Sequence, residues 1–546
     1  MSRASISAKA ILTLVSVFAG APGLAQSPQP NIESLELMAV ETWSGDRAVE
    51  RGLLVTPYFH DRPDSDVFRL PFLRFRSDAE DPGPPMFLLA GGPGSSYLDD
   101  LEDEDFISWL DGFLEIGDVV VLEQRGANTA GVDRAAIPAV LSCTIRADIS
   151  PGLPLTPKVY QAVLADNFAE CASRYRSEGV PLEAYTIVQM AADFHRLRDA
   201  LGYERFNIMG GSFGSQLGFT IIRMDEAGVH RAIFYGVEGP GDTIDRLEYV
   251  DGHIDRVAAA LDHNWQMRLI AGDFRGALTD LITRLETHPL RGTVKVEGEP
   301  VDIAVGSFDL KLMLWSREGI KGYRGNIARI GRLLTVTALG REEFLLQAKA
   351  NLVGRLGGKD GLRLNLMTFL VDCSSLPLND RAFPASDPNK LFGPEIVDSE
   401  LRSVCASLDL PVIEAGNFIP VRADTPVVLV AGGLDGFTPP EYARQVLSGL
   451  SNGYLIEVPL GDHNGWAALE SDPAYQRAAL DFLSGEGRAD ALPPQIDLPR
   501  LRVELVPTWI IPAAGVSLVL FIGLGWTGLR RMRRAGRSRR SEQSRP

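Results

Sequence analysis

The sequence predicts an α/β fold: a mostly parallel sheet with helices on both faces, interrupted by a large helical insertion and followed by one apolar helix long enough to cross a membrane. Three observations carry this. Apolar runs at 86–90 and 118–122 end in glycine-rich loops and are separated by helix-like stretches, the pattern of strands buried on both faces. That rhythm stops near residue 241 and resumes at 426, so the residues between form an insertion. Between a strand-like run at 205–209 and a helix-like run at 216–226 stands Gly210-Gly211-Ser212-Phe213-Gly214, a serine in a G-x-S-x-G turn.

The two ends read as export and anchoring segments. Residues 1–25 combine Arg3 and Lys9, an apolar stretch at 10–19 and small residues before Gln26, which is a signal peptide. Residues 508–529 contain no charge and as a helix would span about 33 Å, against about 30 Å of bilayer hydrocarbon. Eight arginines and one glutamate follow in the tail 530–546, so the positive-inside rule places the tail in the cytoplasm and the body outside. A sorting signal cut off after export has the same pattern. The whole chain of 546 residues carries −17; with +7 in the tail and +2 in the leader, the body carries −26, which argues against nucleic acid as a partner.

Four cysteines lie in the body as two local pairs, Cys143 with Cys171 and Cys373 with Cys405. Of three possible connectivities, sequential pairing closes the shortest loops, each contributing about 3–4 kcal/mol by chain entropy. No C-x-x-C or neighbouring histidine points to metal or redox work, and no cofactor is expected.

Segments at 32–40, 51–58 and 67–75 succeed one another without helices, with turns expected at Gly45-Asp46 and Arg62-Pro63-Asp64, so the sheet should begin antiparallel. The core's first part then runs over 31–240, through a helix at 186–201, the serine strand and a strand at 231–237. A helical cap occupies 241–423, and the core resumes over 424–500 with strands at 426–431 and 454–458.

A serine hydroxyl needs a base to take its proton and an acid to orient that base. Of seven histidines, only His463 follows a late strand in a loop, and Asp435 lies just past the strand before it. The chain order Ser212, Asp435, His463 is that of an α/β-hydrolase. His195 and His230, on helical or turn stretches, read as surface or packing residues. Asp462 adjoins the histidine and should point elsewhere, and Asp424 lies at the wrong end of its strand. The oxyanion needs two backbone donors: the N–H of Phe213 follows from the elbow, and in Gly91-Gly92-Pro93-Gly94 the best candidate is Gly92, with Gly91 and Gly94 behind it, because Pro93 has no N–H.

Taken together, Gly91-Gly92-Pro93-Gly94-Ser95, Gln124-Arg125-Gly126, the elbow, Gly433-Leu434-Asp435 with Thr438-Pro439, and His463 resemble the proline iminopeptidase and tripeptidyl aminopeptidase family of α/β-hydrolase serine peptidases, the secreted branch more than the cytosolic one. The resemblance covers residues 32–240 and 424–485. The chain departs from it at Glu123 and Ala127-Asn128-Thr129 and at Ala90, where cytosolic relatives often have histidine. It implies release of residues from free N-termini of short peptides through an acyl-enzyme. A carboxylate must then hold the substrate ammonium, and Glu238 is one candidate, with acids of the cap as others. An esterase acting on small acyl esters uses the same residues, and a tethered binding protein without catalysis would keep the same fold.

Overall fold

The computed structural model describes residues 35–42, 48–98, 104–127, 141–243, 245–296, 298–316, 319–375, 390–397 and 399–503. The expected signal peptide, the Gly45-Asp46 turn, the 508–529 segment and the basic tail lie outside these residues. Among the described residues, no helix is long and apolar enough to cross a membrane.

Nine strands form the main sheet. They are β1 (Leu35–Thr42), β2 (Ala48–Phe59), β3 (Arg62–Phe75), β4 (Gly83–Leu89), β5 (Gly117–Leu122), β7 (Phe206–Ser212), β8 (Val229–Val237), β12 (Val427–Gly432) and β13 (Gly453–Val458), with β6 (Ser142–Ile145), β9 (Leu290–Val296), β10 (Glu299–Val305) and β11 (Leu362–Asn365) lying elsewhere. Their order is β1-β2-β3-β5-β4-β7-β8-β12-β13. Pairing is antiparallel from β1 to β5 and parallel from there to β13. One expected turn is displaced: the β2–β3 hairpin reverses at His60-Asp61, Arg62 already pairs with Phe59, and Pro63-Asp64 belong to β3. Pro63 is tolerated there because that end of the strand is exposed.

The apolar runs arise because both faces of the sheet are covered. Phe87, Leu89, Val120 and Ile208 point into one core with Phe194, Leu217 and Phe219, from the helices Ile187–Ala200 and Phe213–Met224. Their neighbours Met86, Leu88, Val119, Val121 and Met209 point into the other, with Phe113, Trp466 and Phe482. Strand side chains alternate, so a sheet buried on both faces must be apolar at every position. The parallel strands also bring the carboxyl ends of β4, β7, β12 and β13 to one edge, where the glycine loop, the elbow, Asp435 and His463 follow them.

The insertion has its own core, in which Ile254, Val257, Leu261, Phe274, Leu278 and Ile327 meet. It is not wholly helical. β9 (Leu290–Val296) and β10 (Glu299–Val305) form an antiparallel hairpin. β11 (Leu362–Asn365) pairs with β6 (Ser142–Ile145), which precedes the elbow in sequence. The helix Pro157–Ser177 packs against Ser399–Leu408. Residues 142–177 thus join the cap side of the molecule. Disulfides Cys143–Cys171 and Cys373–Cys405 each tie two pieces of this layer together.

Candidate active site

Ser212 ends β7 and caps the helix Phe213–Met224 with φ 56° and ψ −130°. A side chain in this left-handed region is strained and persists only where its surroundings impose it. They do so here by contact. A Cβ on Gly214 would lie 2.3 Å from the Leu89 carbonyl oxygen, and one on Gly211 would lie 2.2 Å from the Tyr235 ring. Ser215 Oγ donates to the Ser212 carbonyl (2.6 Å) and accepts from the Glu238 N–H (2.8 Å), binding the elbow to the exit of β8.

Asp435 is fully buried. Its Oδ1 accepts from the N–H groups of Phe437 (2.9 Å) and Thr438 (3.0 Å), and its Oδ2 from Thr438 Oγ1 (2.6 Å) and from His463 Nδ1 (2.8 Å). With Nδ1 donating to the carboxylate, Nε2 is the lone-pair nitrogen, the tautomer a base requires. The cap supports this pair. The N–H of His463 donates to Gly322 O and that of Gly436 to Lys321 O. His253 packs beneath Gly436, and burial pushes its imidazole down to about 4, so it stands neutral there. Ser212 and His463 line one cavity, and the hydrogen bond between nucleophile and base is one that often tightens only in the substrate complex.

Gly91 lies against the elbow, where a Cβ would be 3.2 Å from Gly211 O. The Gly94 N–H donates to Gln124 Oε1 (2.9 Å), which removes it from the candidate oxyanion donors and leaves Gly92 and Gly91. Gln124 Nε2 in turn donates to Ala90 O (2.7 Å), so one side chain holds both ends of the loop. From the cap, Asn365 Nδ2 and Thr368 Oγ1 donate to Pro93 O (3.1 and 3.2 Å). Sequence reasoning missed Asn365 and Thr368, because nothing in the chain between 242 and 423 signals contact with residues 91–94.

Two cavities meet at Ser212, and Gly92 and Phe437 line both. The outer one, of about 360 Å³, is walled by Tyr235, Tyr323, His463 and Asn464. The inner one, of about 590 Å³, combines an apolar wall, including Leu164, Leu312, Phe369 and Leu401, with Glu238, Asp242, Asp245, Asp372 and Glu400, against one cation among the described residues, Lys321. Lys321 Nζ bonds Asp245 Oδ2 (2.8 Å) and lies over the rings of Trp315 and Phe437. Burial, and then the charges of Asp372, Asp242 and Asp245, push the Glu238 carboxyl well above the ordinary range. Burial raises Asp245 as well, with Lys321 opposing, and pushes Asp372 up to about 7. Glu238, named from the sequence, is therefore one member of a cluster whose other acids the sequence assigns only to the cap in general.

The remaining candidates fall away from the nucleophile. His195 bonds Ile221 O, and His230 bonds Asn207 from within β8, a strand position rather than a helix or turn. Asp462 accepts from the N–H groups of Arg324 and Asn464, and Asp424 bonds Ser451 beyond the opposite end of β12. Among the described residues, no group of three or more His, Cys, Asp or Glu is arranged to hold a metal ion.

A protein family described as alpha/beta hydrolase fold matches residues 84–466, the greater part of the chain. No curated protein matches the sequence. Solved structures similar to it include a proline iminopeptidase-related protein from Thermus thermophilus (16% identity, 81% of this chain and 99% of that one, TM-score 0.32). A proline iminopeptidase from Mycobacterium smegmatis is 12% identical over 80% of this chain and 98% of its own, with a TM-score of 0.32. An epoxide hydrolase from Bacillus megaterium is 12% identical over 76% and 97%, with a TM-score of 0.31. Likenesses this distant bear on no particular substrate.

Proposed function

Given that the chain belongs to the alpha/beta hydrolase fold family, we propose that it is a serine hydrolase that removes residues from the free N-termini of short peptides. The observation that carries this reading is the inner cavity: among the described residues, five carboxylates and one ammonium line a space that begins at Ser212. Carboxylates crowded in low dielectric repel one another and hold protons, and a bound cation relieves both costs. A substrate ammonium supplies such a cation, and the apolar wall takes the side chains attached to it.

In this reading the peptide's amino end lies in the inner cavity and its leaving group in the outer one. Ser212 attacks the scissile carbonyl while His463 Nε2 takes the hydroxyl proton and Asp435 steadies the imidazolium that forms. The N–H groups of Gly92 and Phe213 face the oxygen on which negative charge develops. His463 then gives the proton to the departing amine, and a water attacking the acyl-enzyme repeats the sequence. The body is exported and anchored by the 508–529 segment, with the C-terminus inside.

The test is the pH dependence of amine recognition. Below pH 7 Asp372 is largely neutral, and above it the carboxylate is formed. KM for a free-amine peptide amide is therefore expected to fall from about pH 6 to a minimum at about 7.5 and to rise again as the substrate's own α-amino group, with a pKa of about 7.7–8.0, loses its proton. The N-acetylated twin should show no such minimum, and Asp372→Asn should flatten the acid side of the curve. Identical profiles for the free and acetylated substrates would remove the basis for amine recognition. The same shift sets the sign of a stability effect. Between pH 3.8 and about 7 the folded state keeps a proton that the unfolded chain has released, so stability falls as pH rises through that window.

A further inference from the structure

The surface where the described chain ends differs from the rest of the molecule. Asn264 caps the short helix Trp265–Ala271, accepting from the Met267 N–H, and donates from Nδ2 to Val503 O (2.8 Å). The last described residue is thus fixed to the start of this helix. On it, Trp265 is 62% exposed, Leu269 77% and Ile270 37%, while Met267 is buried in the cap core. Three of the eleven large apolar side chains exposed among the described residues therefore fall on one seven-residue element. Scattered single apolar residues need no explanation, but a cluster does.

The charge of this face is also unlike that of the body. Arg268, Arg500 and Arg502 are exposed, and among the described residues none of them pairs with a carboxylate. The neighbouring acids are engaged by the backbone: Asp262 accepts from the Phe274 N–H and Asp273 from the Gly276 N–H. A concavity of about 390 Å³ lies alongside, lined by His263, Arg256, Arg444, Arg500 and Leu501 together with Glu457. In a body carrying −26, a basic and apolar face is a part that an anionic surface does not repel.

Five residue steps separate Val503 from Thr508, where the uncharged segment begins, and they reach at most about 17 Å. If residues 508–529 cross a bilayer, the Trp265 helix cannot lie far from its surface. Exposed tryptophan with aliphatic and arginine side chains is the composition that partitions into the headgroup region. We propose that the face formed by Trp265, Arg268, Leu269, Ile270, Arg500 and Arg502 rests on the phospholipid surface, with the apolar side chains at the boundary between headgroups and acyl chains and the arginines on lipid phosphates. This rests on the anchoring reading of the C-terminal segment. It also gives the enzyme a fixed orientation on the membrane rather than a free tether.

The experiment uses the full chain in vesicles of phosphatidylcholine with a minority of phosphatidylglycerol. The body's four cysteines are paired, so an environment-sensitive fluorophore can be attached to Leu269→Cys and, in a second protein, to Ile419→Cys, which is also exposed but lies beyond the opposite end of β12. The label at 269 should shift to the blue in vesicles and be several-fold less accessible to aqueous iodide than the label at 419. Adding Arg500→Glu and Arg502→Glu should restore its accessibility. Equal accessibility of the two labels, in protein that withstands alkaline washing of the vesicles, would overturn the docking face while leaving the anchor intact. Release of the unmodified chain by that wash would overturn both.

Discussion

Asp435→Asn is expected to lower kcat about 10⁴-fold while the protein folds normally. The loss follows from the hydrogen-bond arithmetic at this position. Two backbone N–H groups, from Phe437 and Thr438, point at Oδ1 and require an acceptor there. An asparagine must therefore turn its oxygen to them and its NH₂ toward Thr438 Oγ1 and His463 Nδ1. Nδ1 then has to accept, the ring proton moves to Nε2, and the nitrogen facing Ser212 can no longer take a proton. Thermal unfolding of the variant checks that the fold survives, and single-turnover kinetics locate the loss in the chemical step. A kcat within tenfold of the parent would mean that another group orients the base.

Arg125→Met should destabilise the protein by about 3–5 kcal/mol, the range for removing one partner of a buried ion pair. Arg125 is fully buried. It donates from Nε and Nη2 to the two oxygens of Asp193 (2.6 and 2.7 Å), from Nη2 also to Pro57 O, and from Nη1 to the carbonyls of Tyr58 and Ala184. It joins β2, the loop after β5 and the helix Ile187–Ala200 at a single point. Burial alone would raise Asp193, but Arg125, with His60, holds it below the ordinary carboxylate range. Without the guanidinium that buried carboxylate keeps the Thr56 hydroxyl and the His60 ring but loses its fixed cation, so the deficit should shrink in mildly acidic buffer, where Asp193 takes up a proton. Urea unfolding at two pH values measures this. The double variant Arg125→Met with Asp193→Leu should recover much of the loss, because replacing the pair together strands no charge. A deficit that is the same at both pH values would assign the effect to packing instead.

The Gln-Arg-Gly stretch shows how far the sequence can be read. Gln124 and Arg125 were legible as a motif, but their tasks, holding the glycine loop and joining β2 to a helix, appear only when residues far apart in the chain meet. The strands of the core were legible because a doubly covered sheet forces long apolar runs. The elbow was legible because only glycine fits at 211 and 214, and Asp435 and His463 because each follows a strand that ends at the same edge. The inner cavity was not. Asp372 and Lys321 sit on a cap whose packing obeys no strong period, and they come to Glu238 and Asp245 by tertiary contact alone. β9 does alternate half-buried with exposed positions, but the helical stretches around it hid the hairpin. The turn assigned to Pro63-Asp64 followed local propensity, which the pairing of Arg62 with Phe59 overrode.

The most direct measurement is hydrolysis by the purified full chain of free-amine prolyl, alanyl and tripeptidyl amides, their N-acetylated twins and a short acyl ester, each beside Ser212→Ala. A serine hydrolase that recognises the ammonium through the inner carboxylates should cleave the free-amine amides, should lose most of kcat/KM on acetylation, and should fall by about 10⁴- to 10⁶-fold in Ser212→Ala. Cleavage of the ester alone, equal rates on free and acetylated amides, or activity that survives Ser212→Ala would contradict it.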